Sequence, residues 1–346
     1  MNSNERVLRT LRREETDRVP TFEWAIDKKV IQAISPDASY EDFVYRMGLD
    51  ALCVDLDYKS EQLDDGIVKD EWGMLKRYSG EAHSFPLDGP VKSMEDLGRY
   101  RPPDPEDPAR YSTLEAYLER YGRDKAIILH LNDVWSIPSR LMPYDEFMIN
   151  LYDAPEFIEA VIRMAVDVNI EMAKEAMRRG VKIVYTGDDY AHNGGPFCSP
   201  GTFKKLFAPE LKRCVQAYKE MGLYVIKHTD GNIMPIIDDI LDAGFDCLDP
   251  IDPIAGMDLA TIKKTYGNRI AIKGNVDCAY TLTFKSVTET IEETRRCIET
   301  GAPGGGYILS SSNTIHSAVK PENYIAMLET LKEYGNYPPA SYHRSK

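Results

Sequence analysis

Leu223-Tyr224-Val225-Ile226-Lys227-His228-Thr229-Asp230-Gly231-Asn232 is the stretch on which the reading of this chain turns. Its first four residues form an apolar, strand-like run, and a helical pattern begins at Ile233. A strand therefore delivers an imidazole, a carboxylate and an amide together at its C-terminal end. His228 and Asp230 stand two apart, so on an extended chain both side chains point the same way. That suits a metal site, or a proton donor held by an acceptor. A strand-end histidine hydrogen-bonded to a capping aspartate is the plainer alternative. Seven other segments that end in the same manner favour a functional reading.

Those segments follow one another in a regular order. Arg18 to Phe22 runs into Glu23 and Trp24, and Ala51 to Val54 into Asp55 and Asp57. Ala126 to Leu131 ends at Asn132-Asp133, and Val181 to Tyr185 at Gly187-Asp188-Asp189-Tyr190, with His192 beyond. After the His228 strand come Phe245 to Leu248 before Asp249 and Asp252, and Ile270 to Lys273 before Gly274-Asn275. Gly306 to Leu309 closes the series at Ser311-Ser312-Asn313. Helical patterns fill most of the gaps, among them 155–179, 199–221 with a kink expected at Pro209, 287–300 and 321–334. Eight strand–helix units predict an α/β fold, a single closed (β/α)8 TIM barrel spanning residues 1–346. An open doubly wound sheet is the alternative, but no G-x-G-x-x-G follows a strand. Gly304-Gly305-Gly306 precedes a strand and reads as a turn. Residues 59–108 break the rhythm and read as an excursion, a small hairpin plus a lid, within the one domain. The tail from Asn336 is polar and reads as frayed.

Composition narrows the partners. Forty-three per cent hydrophobic and 28% charged residues are ordinary globular values. A net charge of −14 argues against nucleic acid and anionic membranes. No run approaches the roughly 18 apolar residues of a spanning helix. The first residues lack the apolar core of a signal peptide, and the six scattered cysteines form no C-x-x-C pair. A cytoplasmic enzyme is expected.

In such barrels the catalytic groups sit at the C-terminal strand ends. His228, Asp230, Asp188, Asp189 and His192 are therefore the candidate catalytic residues, with His228 and Asp230 as candidate metal ligands. Adjacent carboxylates such as Asp188 and Asp189 repel unless a cation or donors compensate. Glu23, Trp24, Asp57, Asn132, Trp135, Tyr190, Asn275, Ser312 and Asn313 are candidate substrate contacts. Glu23 has an alternative as a structural ion pair with Arg18, and Asp55 or Asp57 as a helix cap. His316 reads as a loop anchor or a site residue. His83, His130 and His343 read as structural or exposed.

Thr16-Asp17-Arg18-Val19-Pro20, Gly187-Asp188-Asp189-Tyr190, His228-Thr229-Asp230-Gly231-Asn232, Gly274-Asn275 and Gly304 to Leu309 together resemble the uroporphyrinogen decarboxylase superfamily over essentially the whole chain. The resemblance implies a (β/α)8 barrel of that type with an N-terminal helical and hairpin excursion. It leaves the chemistry open between decarboxylation and corrinoid-linked methyl transfer. The decarboxylase's arginine-bearing loop has acidic Thr21-Phe22-Glu23-Trp24-Ala25-Ile26-Asp27 in its place, unsuited to a poly-anionic tetrapyrrole. Methyltransferases that carry methyl from a corrinoid to a thiol have His-x-Cys and a later Cys. Here Asp230 and Ser311 or Ser312 stand at those positions, which speaks against thiol activation.

The chain looks most like the methyltransferase component of anaerobic O-demethylase systems. That implies transfer of methyl from a methyl ether, commonly of a phenol, to the cobalt of a separate corrinoid protein. The partners implied are that corrinoid protein and a small-molecule methyl donor, with zinc as a further cofactor left open. The group's Glu-x14-Glu-x20-His zinc spacing also occurs, as Glu156, Glu171 and His192. Both glutamates fall on one predicted helix, fifteen residues apart, and a rise of ~1.5 Å per residue separates them by roughly 22 Å. One mononuclear site cannot hold both. Methyl transfer to a thiol, decarboxylation and a non-catalytic binding barrel are the alternative readings.

Overall fold

The computed structural model describes residues 1–63, 66–78 and 84–337. Seven parallel strands pair in chain order: β1 Ala51–Val54, β2 Ala126–Leu131, β3 Ile183–Thr186, β4 Tyr224–His228, β5 Cys247–Asp249, β6 Ala271–Val276 and β7 Tyr307–Ser311. The eighth position is held by the extended segment around Pro20. Thr21 bridges Leu309 in parallel, Leu309 N donates to Pro20 O, and Asp50 N donates to Thr21 O. The segment thus lies between β7 and β1 and curls the sheet into a barrel. It is a bridge and not the expected full strand. Pro20 has no N–H to give the ladder, which limits the pairing there.

Alternation along the strands sorts the core into two parts. Inward positions Ala126, Ile128, Ile183, Ile226 and Ile308 cluster with Val7 and Leu11 of the first helix, Ser3–Leu11. That helix closes the N-terminal end of the barrel, and each such valine, leucine or isoleucine contributes about 1.5–3 kcal/mol by burial. Outward positions pack under the helical layer, chiefly Pro155–Arg178, Ala208–Glu220, Val287–Gly301 and Pro321–Tyr334. The irregularity expected near Pro209 is a π-helical turn over Phe203–Phe207, just ahead of the proline that cannot donate into the preceding turn. Arg18 does not meet Glu23: with Arg6 it grips buried Asp50, at 2.9 and 2.7 Å.

The excursion carries a four-stranded antiparallel sheet: Ser60–Gln62, Ile67–Asp70, Leu75–Tyr78 and Ser84–Asp88. This is larger than the single hairpin expected. Trp72 and Met74 anchor it in the main core, and Arg110 grips Glu71. His83, His343 and most of the polar tail lie outside the described residues. Among the described residues no helix is long and apolar enough to cross a membrane.

Candidate functional site

The inward positions of the strands change character toward the C-terminal mouth. Two residues beyond Ile128, Ile183, Ile226, Cys247 and Ala271 stand His130, Tyr185, His228, Asp249 and Lys273. The period of two that fills the barrel floor with apolar groups therefore places a polar layer above it.

His228 is the centre of that layer. Its Nδ1 lies 2.8 Å from Asp249 Oδ2, and Lys273 Nζ lies 2.8 Å from Asp249 Oδ1. The Tyr185 hydroxyl donates to the same carboxylate. Burial raises the Asp249 carboxyl's affinity for a proton, but Lys273 and His228 outweigh it and hold the group well below the usual carboxylate range. An anionic Asp249 fixes the proton on Nδ1, so Nε2 faces the mouth. There it stands 3.5 Å from Asp230 Oδ1 and 3.7 Å from Asp189 Oδ1. Burial opposes the charged ring; Asp230, the hydrogen bond to Asp249, and Asp189 raise it to about 9. Asp230 itself is pushed up to about 7 by burial, countered by His228 and reinforced by Asp189.

Two sequence motifs lock together to build this cluster. Tyr190 N donates to Thr229 Oγ1, Asp230 N to Asp189 Oδ1, and Asn232 N to His192 O, all at 3.0 Å. Gly231 has φ +83°, and a Cβ there would lie 2.6 Å from the Ala191 carbonyl carbon. Only glycine permits the His228 turn and the 190–196 hairpin to approach so closely. Asn313 Nδ2 reaches across from the end of β7 to Asp230 Oδ2.

Asp230 Oδ1 is buried without a hydrogen-bond partner, and one ligand atom each from Asp189, His228 and Asp230 lies within 4.8 Å of the others. A tetrahedral ion with bonds of ~2.1 Å has ligand atoms roughly 3.4 Å apart. The observed 3.5 and 3.7 Å separations from Nε2 fit such an ion. The two oxygens and one nitrogen suit zinc or a harder cation.

The other candidates take varied places. Trp24 stacks on Tyr185 at 4.8 Å and meets the edge of His130 at 3.9 Å, inside the mouth. Glu23 is enclosed at the top of the barrel, accepting from Ser311 N at 3.1 Å and Ser311 Oγ at 2.7 Å. Asp188 points the opposite way from Asp189. It takes the amides of Asp133, Trp135 and Ser136 and the Asn132 side chain, and is fully buried. Lys227 offsets its charge, so Asp188 stays anionic and holds the loop after β2. His192 is exposed, with Nδ1 accepting from Gly194 N. Asp57 caps the helix Ser112–Tyr121 through Thr113.

Trp135 and Tyr190 are buried too deeply to wall a ligand site, the first among Phe147, Phe197 and Phe207, the second against Asp133. Asn275 donates to Ile251 O and faces an outer cleft of about 330 Å³ beside Arg296, away from the mouth. Asn132 borders a cleft of about 250 Å³ under the antiparallel sheet. Glu156 and Glu171 do lie on one helix, Pro155–Arg178. Asp249, Lys273 and Tyr185 carry more of the site than their sequence setting suggested. A lysine closing the apolar run Ile270-Ala271-Ile272 was the available sign, because a buried lysine requires a carboxylate.

Glu23 carries a pH prediction. Burial, with Lys273 opposing it, pushes its carboxyl from 4.5 up to about 7. A raised carboxyl favours the fold below its unfolded value, and that contribution is lost as pH rises through the folded value. Ionised Glu23 thus costs on the order of 3 kcal/mol. Glu23→Gln is expected to raise the urea midpoint at pH 8 and to match the parent at pH 4, below the unfolded value. An equal gap at both pH values would remove the assignment.

The model of the uroporphyrinogen decarboxylase (URO-D) family matches residues 80–334. The chain belongs to that family. URO-D relatives carry two kinds of name. "Uroporphyrinogen decarboxylase" of Alkalilimnicola ehrlichii is 22% identical, over 95% of this chain and 94% of its own. "Methylcobamide:CoM methyltransferase MtaA" of Methanosarcina barkeri is 24% identical, over 72% of this chain and 68% of its own. A solved "methyltransferase from Methanosarcina mazei" superposes with a TM-score of 0.75 at 18% identity, covering 96% of this chain and 99% of that one. The URO-D barrel, the fold expected from the strand ends, is thereby shown, and the chain is similar to enzymes of both kinds.

Proposed function

We propose that this chain transfers a methyl group from a methyl ether, a methoxylated aromatic compound, to the cobalt of a corrinoid protein. The observation that carries this reading is His228, tied at Nδ1 to Asp249 with Nε2 turned to the mouth between oxygen ligands. Its ring is held at about 9 and so retains a transferable proton at neutral pH.

The reaction needs one bond broken and one made. The methyl–oxygen bond opens as the methyl carbon bonds to cobalt, supplied in its nucleophilic form by the corrinoid partner. The electron pair left on the ether oxygen makes a phenolate, a poor leaving group unless protonated. His228 gives it the Nε2 proton, and Asp249 with Lys273 steadies the ring. With zinc bound, Asp189, His228 and Asp230 would hold it, His228 through an Nε2 that has lost its proton, and the ion would supply Lewis acidity toward the same oxygen in place of that proton. The corrinoid protein would cover the mouth and bring its cobalt in line with the methyl carbon.

Two alternatives are weaker. Thiol methylation is supported by the names of relatives, but the metal-capable cluster contains no sulfur. Burial also pushes the nearby Cys278 thiol up to about 12. Decarboxylation of a poly-anionic tetrapyrrole is supported by the wide coverage of the decarboxylase relative. It conflicts with a mouth edged by Asp189, Asp230 and Asp252.

The test is anaerobic. The protein is mixed with a competent cobalt(I) corrinoid protein and a panel of methyl donors while the cobalt spectrum is followed. Enzyme-dependent methylation of cobalt by a methoxylated phenol is the expected result. No conversion with any donor would sink the proposal.

A further inference from the structure

Beside the His228 cluster lies a cavity of about 290 Å³, lined by Asp252, Ile254, Cys278, Ala279, Ser312 and Asn313, with Thr314 and His316 completing it. Larger clefts of about 330 and 490 Å³ lie on the helical layer and along the antiparallel sheet, away from the titratable cluster. The smaller cavity joins the site at two points. Asn313 donates to Asp230, and Asp252 Oδ2 accepts from Gly231 N at 3.1 Å. Its volume is at the low end of ligand sites, about 300–1,000 Å³, and suits a single ring.

The electrostatics of the lining have one sign. Asp252 contributes a carboxylate, and among the described residues no lysine or arginine lines the cavity. His316 turns both ring nitrogens to the backbone, with Nδ1 accepting from Ala318 N at 3.3 Å and Nε2 3.3 Å from Cys278 O. Lys273, the strand-borne cation of the His228 cluster, is bound to Asp249. A divalent ion on Asp189 and Asp230 would cancel their charges and leave that of Asp252.

We infer that this cavity is the methyl donor's seat, that it takes a single-ring compound without an anionic group, and that Asp252 sets the discrimination. The inference rests on the methyl-transfer reading of the mouth. A ring carboxylate would face Asp252 with no counter-ion, and like charges brought together in a partly desolvated site repel.

The test is direct binding by calorimetry to the full chain at neutral pH, using guaiacol, its ring-carboxylated derivative and its aminoethyl derivative. The neutral and cationic compounds are expected to bind at least about tenfold more tightly than the carboxylate. Asp252→Asn should narrow that ratio to within about threefold. Because Asp252 also holds the Gly231 and Ile254 amides, a second variant, Ala279→Lys, adds a cation without touching that turn. It should reverse the order. Equal or tighter binding of the carboxylate to the parent protein, or no binding by any of the three, overturns the inference. So does a ratio that neither variant moves. Failure of every donor in the cobalt assay would instead reject the methyl-transfer reading, while the binding order still decides this one.

Discussion

His228→Ala is expected to lower methyl transfer to the corrinoid by roughly 10²–10⁴-fold, the range for loss of a positioned acid. The fold should survive, because Asp249 keeps Lys273 and the Tyr185 hydroxyl when the imidazole is gone. Single-turnover rates and thermal melting, measured on the same preparation, separate the two effects. A variant that melts with the parent and still transfers methyl at a near-normal rate would remove His228 from the chemistry. His228→Gln makes a useful companion. It retains a hydrogen-bonding group near Asp249 but cannot deliver a proton, so it should be nearly as slow as alanine.

Asp249→Ala is expected to cost stability more than any other change at the site, about 3–5 kcal/mol. Asp249 is 1% exposed and Lys273 is 2% exposed. Truncation leaves an ammonium group in the barrel interior without its hydrogen-bonded carboxylate. It also frees the His228 ring to turn, so transfer should fall in whatever fraction folds. Urea unfolding at neutral pH gives the number, and Asp249→Ala combined with Lys273→Met gives the control. Removing both charges should recover much of the loss, since a buried pair often contributes little net stability while half a pair is costly. A loss under ~1 kcal/mol for the single variant would mean that Lys273 turns to Glu23 instead.

The barrel was legible because its cues are local. Apolar runs ending in polar residues, spaced by amphipathic segments, can be read without knowing what packs on what. The Pro20 segment could be read as a strand end, but not as a single bridge, because that depends on which carbonyls its neighbours reach. Residues 59–108 stood out as an excursion. Their four-stranded sheet did not, since its strands are short and half-exposed and lack clear alternation.

By itself the sequence determined the strand order, the acidic mouth and the pairing of His228 with Asp230, two residues apart on one face of an extended chain. The tertiary structure alone decided which carboxylate serves which purpose. Asp188 and Asp189 are neighbours of one residue type, yet one is enclosed under the β2 loop and the other opens to His228. Asp249 becomes the partner of His228 because parallel pairing sets the two side by side, β4 against β5. Local sequence specifies the alternation of faces; strand register and barrel closure specify what each face meets. That is why His228 could be found by reading, and Asp249 and Lys273 set at strand ends, while their bonding to one another and to Tyr185 came only by folding.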